Sequence, residues 1–315
     1  MSKRLPYIDV MESIAILFVV TYHADIASYD ILNAASAETF FTYIIRAILS
    51  TCVPLFFFAN GYLLFNRDFH LKKHIIKTVR TLIQTGVWGI ISLLLLAVIE
   101  GISFSPFGFL QALWTWKQDY LNHLWFMGAL VCIYVFFPLL KCAFDYNKEA
   151  LAFFVAACAV FTFGNKFLNA LAFIGLNSVS YMDELAGHSV LNIENYNLFN
   201  IFNPFRGIYG YSFVYFCAGG FAYALKGKLH KSARTQWTAI LGLCVMTLGL
   251  GLWGIYKTYV SGKVWDVVWY GYDTAFTFFN VICIYILCVN YNWNKLESGG
   301  GRYYIQQYAW NIFYP

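Results

Sequence analysis

The sequence predicts an all-α fold, a polytopic bundle of about nine to ten transmembrane helices with a cytoplasmic N-terminus, and three observations predict it. First, 60% of the residues are hydrophobic and only 12% are charged, against roughly 25% charged for a water-soluble domain. Second, mean hydropathy is +0.59, and the charges gather in short runs between apolar stretches long enough to cross about 30 Å of hydrocarbon as helix. Third, those runs alternate in sign as the loops of a membrane protein do, with Lys and Arg collecting on the inner side.

Eight apolar runs are long enough to cross, at about 8–26, 41–65, 79–99, 122–141, 149–164, 206–225, 237–256 and 267–289, and a ninth begins near 303. The N-terminus Met1 to Arg4 is basic and leads into the first run without a small-residue cleavage site, so that run reads as a retained span. The fifth run is short, and the connection after it, about 165–205, is polar and Asn-rich, with room for short helices or a re-entrant segment. The chain ends at Pro315 within an apolar, aromatic-rich run, so a single domain over 1–315 with its C-terminus cut short is expected.

Charge sets the orientation. Arg67, Lys72, Lys73, Lys77 and Arg80 face only Asp68 in one inner loop, and Lys226, Lys228, Lys231 and Arg234 face no acid in another. The first outer loop holds Asp25, Asp30 and Glu38, but the third inner loop is balanced, with Lys141 and Lys148 against Asp145 and Glu149, and one outer loop carries Lys257 and Lys263 against Asp266. The net charge of +5 is spread between apolar runs, which argues against a nucleic-acid stripe. The eight cysteines show no CxxC pair and no zinc spacing, and read as small buried hydrophobes. No P-loop, G-x-S-x-G elbow or dinucleotide fingerprint is present.

Ionisable groups inside spans are costly and mark candidate sites. In the first span Asp9 and Glu12 lie near the inner end and His23 near the outer end. Eleven residues from Glu12 to His23 make about three turns and roughly 16 Å, which puts both on one face. His23 is the candidate base, because imidazole exchanges a proton with a hydroxyl near neutral pH. A histidine that satisfies a neighbouring helix or reaches the headgroups has the same spacing. Lys73, Lys77 and Arg80 share a helical face at the inner mouth of the third span, placed either for donor phosphates or for anionic lipid. His123 and Trp125 open the fourth span at the outer surface, as acceptor contacts or as an interfacial pair. Asp273 is expected inside the eighth span with Asn280 two turns on, either orienting His23 or bonding across helices. Gly219–Gly220 and the glycines from 242 to 254 are expected at close helix contacts.

These residues sit in segments that resemble the membrane acyltransferase 3 family. Its first-span pattern D-x-x-R-x-I-A-x-x-x-V-x-x-x-H is matched by Asp9, Ile14, Ala15, Val19 and His23. The stretch Val53-Pro54-Leu55-Phe56-Phe57-Phe58-Ala59-Asn60-Gly61-Tyr62-Leu63 looks like its V-P-L-F-F-x-x-S-G-Y-L. His123-Leu124-Trp125-Phe126, with Tyr134 and Pro138 following, is similar to its H-L-W-F segment, and 308–315 resembles the penultimate region. Two positions depart: the family arginine is Glu12 here, and the serine before Gly-Tyr is Asn60. The missing cation is sought at Arg46, Arg80 or Arg206.

The resemblance implies an integral O-acyltransferase of the bacterial cell membrane. It implies transfer of an acyl group, commonly acetyl, from cytoplasmic acetyl-CoA as co-substrate to a hydroxyl of an extracytoplasmic or lipid-linked glycan, with no tightly bound cofactor. His23, Glu12 and Asp9 would be catalytic. His123, Trp125, Asn60, Tyr62, Arg206 and Asp273 would hold the acceptor, and Lys73, Lys77 and Arg80 the CoA. A carrier or flippase, and a catalytically silent relative, are the other two readings of the same residues.

Overall fold

The computed structural model describes residues 5–24, 29–114, 121, 124–185, 209–229 and 232–291. All of the regular structure among them is helical: α1 (Pro6–Ala24), α2 (Ala37–Leu49), α3 (Cys52–Phe65), α4 (Leu71–Ile99), α5 (Pro106–Trp114), α6 (Trp125–Tyr146), α7 (Lys148–Ala159), α8 (Asn165–Leu185), α9 (Gly210–Leu225), α10 (Ala233–Ser261) and α11 (Ala275–Asn290), with short 3-10 and π turns between some of them. Among the described residues six segments are long and apolar enough to cross a membrane: Pro6–Ala24, Ala37–Phe65, Leu71–Ile99, Trp125–Tyr146, Lys148–Gly175 and Ala233–Ser261. The sixth and eighth expected spans are helices of 16 residues each, shorter than that length, and the ninth lies outside the described residues.

Local chemistry sets the helix ends. Ser36, Asn147, Ser232 and Thr274 each accept a backbone N–H three residues on, the N-cap arrangement that satisfies an orphan donor. The expected span 41–65 is broken at Ser50–Thr51, because Pro54 has no N–H to continue the ladder to Ser50. Ser50 bonds instead through its hydroxyl, to the Ala47 carbonyl and to Thr277 of α11, both at 2.7 Å.

The fifth span runs further than expected. A π turn at Val160–Gly164 joins α7 to α8, so helix continues through Asn165–Leu185 where a polar connection was read from the sequence. Gly164 and Asn165 look like breakers in a linear reading; the π turn absorbs them without ending the helix.

The centre of the bundle is α3, eleven of whose fourteen residues are buried. It packs against α1, α6, α9 and α11, while α10 lies against α2 and α11, and α4 against α6. The α3–α9 crossing has no room for side chains. A Cβ on Gly61 would collide with the Phe216 carbonyl, and one on Gly219 with that of Phe58. Small residues allow this backbone approach, which strengthens dispersion where no hydrophobic effect drives helices together.

α4 is built the other way round. Its buried positions, His74, Thr81, Thr85, Gly89 and Leu93, form one narrow stripe. Ile75, Ile76, Val79, Leu82, Ile83, Val87 and Trp88 are exposed. Its first turns also expose Lys72, Lys73 and Arg80; beyond them, polar groups inward and apolar groups outward suit a helix to hydrocarbon.

Candidate active site

The chemistry of the bundle collects at the two ends of α1. At 100° per residue, Ile8, Met11, Ala15 and Tyr22 fall on one stripe, and the first three of these are completely buried. Glu12 and His23 lie about a quarter turn away on the flank of that stripe. Glu12 and Asp9 are half-buried, and His23 is exposed at the end of the helix. The residue that α1 points into the bundle at this end is therefore Tyr22, which the sequence reading passed over.

At the His23 end, the Tyr22 hydroxyl donates to Asp266 Oδ2 at 2.6 Å, and the Tyr22 and His23 rings meet edge-on at 4.9 Å. The other oxygen of Asp266 accepts the N–H groups of Val268 and Trp269 at 2.9 and 3.2 Å. One carboxylate thus fixes both the end of α1 and the turn carrying Trp269. Arg46 is buried beside them, its guanidinium 3.6 Å from the centre of the Tyr29 ring and 5.3 Å from that of Tyr22. Aromatic faces stabilise such a cation where water is scarce. Tyr43 completes the wall, donating to the Trp265 carbonyl at 2.5 Å.

Trp125 begins α6 and gathers three rings: Tyr209 at 5.4 Å, Trp269 at 5.3 Å and Tyr272 at 5.8 Å. The Tyr272 hydroxyl lies 3.5 Å from Cys52 Sγ, and its carbonyl accepts from Tyr215 at 2.9 Å. Asp273 is in the turn ahead of α11, not inside the span, because Thr274 caps a helix that starts at Ala275. Its carboxylate pairs with Lys166 at 3.1 Å. Asn280, two turns on, is fully buried and donates to Thr247, so the two residues do not act together.

At the Tyr7 end the contacts gathered around Tyr62 are between neutral groups. The Tyr7 and Tyr62 hydroxyls bond at 2.8 Å, and the Tyr62 ring meets Tyr223 edge-on at 5.5 Å and Tyr285 at 5.8 Å. Asn60 donates to the Phe56 carbonyl and accepts the Tyr134 hydroxyl at 3.1 Å. Pro138 explains the next link. Having no N–H, it leaves the Tyr134 carbonyl, four residues earlier, without its ladder donor. His74 Nε2 fills the vacancy at 2.7 Å. A carbonyl only accepts, so Nε2 carries the proton.

Of the three residues expected to share a cationic face, only Lys77 turns inward, its Nζ 4.8 Å from the centre of the Tyr134 ring. Lys73 and Arg80 are exposed on α4. Arg46 sits at the level of Tyr22, ten residues along α1 from Glu12, so it does not occupy the place of the cation that Glu12 replaces. His123 and Arg206 lie outside the described residues. The sequence reading missed Asp266, Tyr22, His74, Trp269 and Tyr209; only the Pro138 position offered a signal, since a proline in a span always leaves one carbonyl to be satisfied.

A bundle with apolar outer faces and polar networks enclosed between helices defines a multi-pass membrane protein. The model for the acyltransferase domain family matches residues 5–314, and the chain belongs to this family of membrane acyltransferases, the acyltransferase 3 family. No curated protein and no solved structure matches the chain.

Proposed function

We propose that the protein transfers an acetyl or other short acyl group from acyl-CoA on the cytoplasmic side to a carbohydrate hydroxyl on the opposite side of the cell membrane. The observation that supports this most is the accessible imidazole of His23 at one mouth of the bundle, beside a tyrosine held by Asp266. In this reading the Tyr7 end is cytoplasmic. CoA approaches the basic start of α4, with Lys77 toward the bundle and Lys73 and Arg80 outside, and its thioester reaches toward His23.

His23 takes the proton of the sugar hydroxyl as the oxygen attacks the thioester carbonyl. The tetrahedral adduct then collapses: the C–S bond breaks, the ester C–O bond remains, and the imidazolium returns its proton to the departing thiolate. The products are the acylated sugar and free CoA, with no further reactant. Glu12 and Asp9, about three and four turns from His23, act on the field along the donor's approach and not on the ring. Asn60 and Tyr62 hold the packing near the Tyr7 end.

Labelled acetyl-CoA supplied to membranes carrying the full chain tests the reading. Label in hydroxylamine-labile carbohydrate ester is expected from the wild type, with a loss on the order of 10²–10⁴-fold in His23→Ala. Full transfer by a stably inserted His23→Ala protein sinks it. Label moved across the membrane unchanged would identify a carrier, and neither outcome a silent relative.

A further inference from the structure

Four aromatic rings, one ion pair and one strained residue converge at the His23 end, and nothing in the acyl-transfer chemistry itself requires them. Trp125 is the hub, with Tyr209 tilted at 40°, Tyr272 nearly parallel at 30° and Trp269 edge-on at 79°. Tyr272 is buried, but Tyr209 is 43% and Trp269 37% exposed, so the outer part of the cluster is accessible. The half-exposed Lys166–Asp273 pair stands beside it, adjoining Tyr272 in the chain.

Tyr209 has φ +51° and ψ +52°, and it is the one non-glycine residue with positive φ among the described residues. A left-handed conformation is costly for a bulky side chain and is kept where surrounding structure demands it. Glycine would adopt it without cost. Holding a tyrosine there places its ring over Trp125 at the entry to α9.

Interfacial Trp and Tyr rings anchor helices at headgroup level. Here they are packed on one another, and the turn carrying Trp269 is fastened through Asp266 to Tyr22, the neighbour of His23. We propose that Trp125, Tyr209, Trp269 and Tyr272, with the Lys166–Asp273 pair, form the binding platform for a pyranose ring of the acceptor. The apolar face of the ring lies on the accessible Trp269 and Tyr209 rings, with Tyr272 buried behind Trp125, and its hydroxyls bond to the charged pair and the Tyr209 hydroxyl. Asp266 is a positioning residue, keeping platform and imidazole in register. This inference rests on the acyl-transfer reading for its purpose, but its binding test does not.

The experiment uses the full chain in nanodiscs, with carbohydrate isolated from the envelope of the source cells as acceptor and labelled acetyl-CoA as donor. Trp269→Ala and Tyr209→Gly are expected to raise the KM for the glycan by about tenfold or more, with the KM for acetyl-CoA unchanged. Trp269→Phe, which keeps a ring face, recovers part of the loss. Tyr209→Gly is the sharper variant: it relieves the backbone, so the protein melts no lower than wild type while glycan affinity falls. An unchanged glycan KM in both variants overturns the proposal, as does a loss shared equally with the donor. Binding of the same glycan without donor gives the decision if the wild type transfers no label. Binding weakened in both variants then supports the platform and sinks only the acyl-transfer reading, whereas equal binding by all three proteins overturns the platform.

Discussion

The two ends of the bundle use tyrosine in opposite ways. At the Tyr7 end, tyrosine hydroxyls bond to each other, to an amide and to a backbone carbonyl, and the rings close on Tyr62. At the His23 end, tyrosines contact charges: Tyr22 donates to Asp266, and Tyr22 and Tyr29 face Arg46. Neutral pairs are satisfied wherever helices meet. Charges near a membrane mouth are kept where a path or a reaction needs them. The contrast sets the Tyr7–Tyr62 pair, a packing contact, against the Tyr22–Asp266 pair at the proposed reactive end, while Lys77 over the Tyr134 ring keeps a cation near the former; each prediction below is a way to break that division or sharpen it.

The largest effect is expected where both ends depend on one contact. Gly219→Leu drives a side chain into the Phe58 carbonyl on α3, and backbone cannot yield as a side-chain tip does. Overpacking costs about 1–3 kcal/mol in a core that can adjust, and more here. Extraction in mild detergent should give little monodisperse protein. Gly128→Leu, at a glycine with open space around its α-carbon, is the control and should extract normally.

Next in size is Asp266→Ala, which orphans the Tyr22 hydroxyl and two backbone N–H groups together. Hydrogen bonds to a charged group contribute about 1.5–3 kcal/mol each when one partner is removed. Turnover should fall at least tenfold, and the thermal midpoint should drop. Asp266→Asn keeps an acceptor for the N–H groups and should restore the midpoint more than the turnover. Equal recovery of both would show that the His23 end is only structural, and the contrast would fail.

Much of this was legible in the sequence and some was not, for physical reasons. Hydropathy finds α1, α4, α6 and α10 because each is a long apolar run with charges at or beyond its ends. It misplaces α8, because the π turn tolerates Gly164 and Asn165 inside a continuous helix. It places Asp273 within a span because an apolar window does not resolve a cap, and Thr274 decides the start of α11. His23, Asn60 and Tyr62 could be named as candidates from the family-like segments. Asp266 was not, since its importance comes from which helix end it meets, 244 residues away in the chain. Inside and outside faces of α4 were legible only as lysine spacing, and the packing of Lys77 against Tyr134 separates it from Lys73 and Arg80.

The link between His74 and Pro138 gives an intermediate effect and a clean sign. His74→Ala leaves the Tyr134 carbonyl without a donor and should destabilise by about 1–3 kcal/mol. Pro138→Ala restores the N–H of residue 138 to the helix ladder, so the same His74 change should cost less than half as much in that background. A double-mutant cycle read by thermal unfolding in detergent measures this coupling. Additive costs would mean that His74 is held for another purpose, and that the Tyr7 end carries chemistry after all.

The smallest effect is the most discriminating. Tyr7→Phe or Tyr62→Phe alone leaves one hydroxyl facing a ring where its partner stood at 2.8 Å, at a cost of about 0.5–1.5 kcal/mol. Removing both hydroxyls removes the unsatisfied group as well as the bond, the Tyr285 hydroxyl beside Tyr62 keeping its bond to the Ala222 carbonyl, and replacing both partners by apolar groups of the same shape is nearly neutral. The double variant should therefore unfold close to the wild-type midpoint and, if this end serves packing only, acylate at the wild-type rate. A double variant that is stable yet slow would place the Tyr7–Tyr62 pair on the donor's route, and the division between a packed end and a reactive end would have to be redrawn.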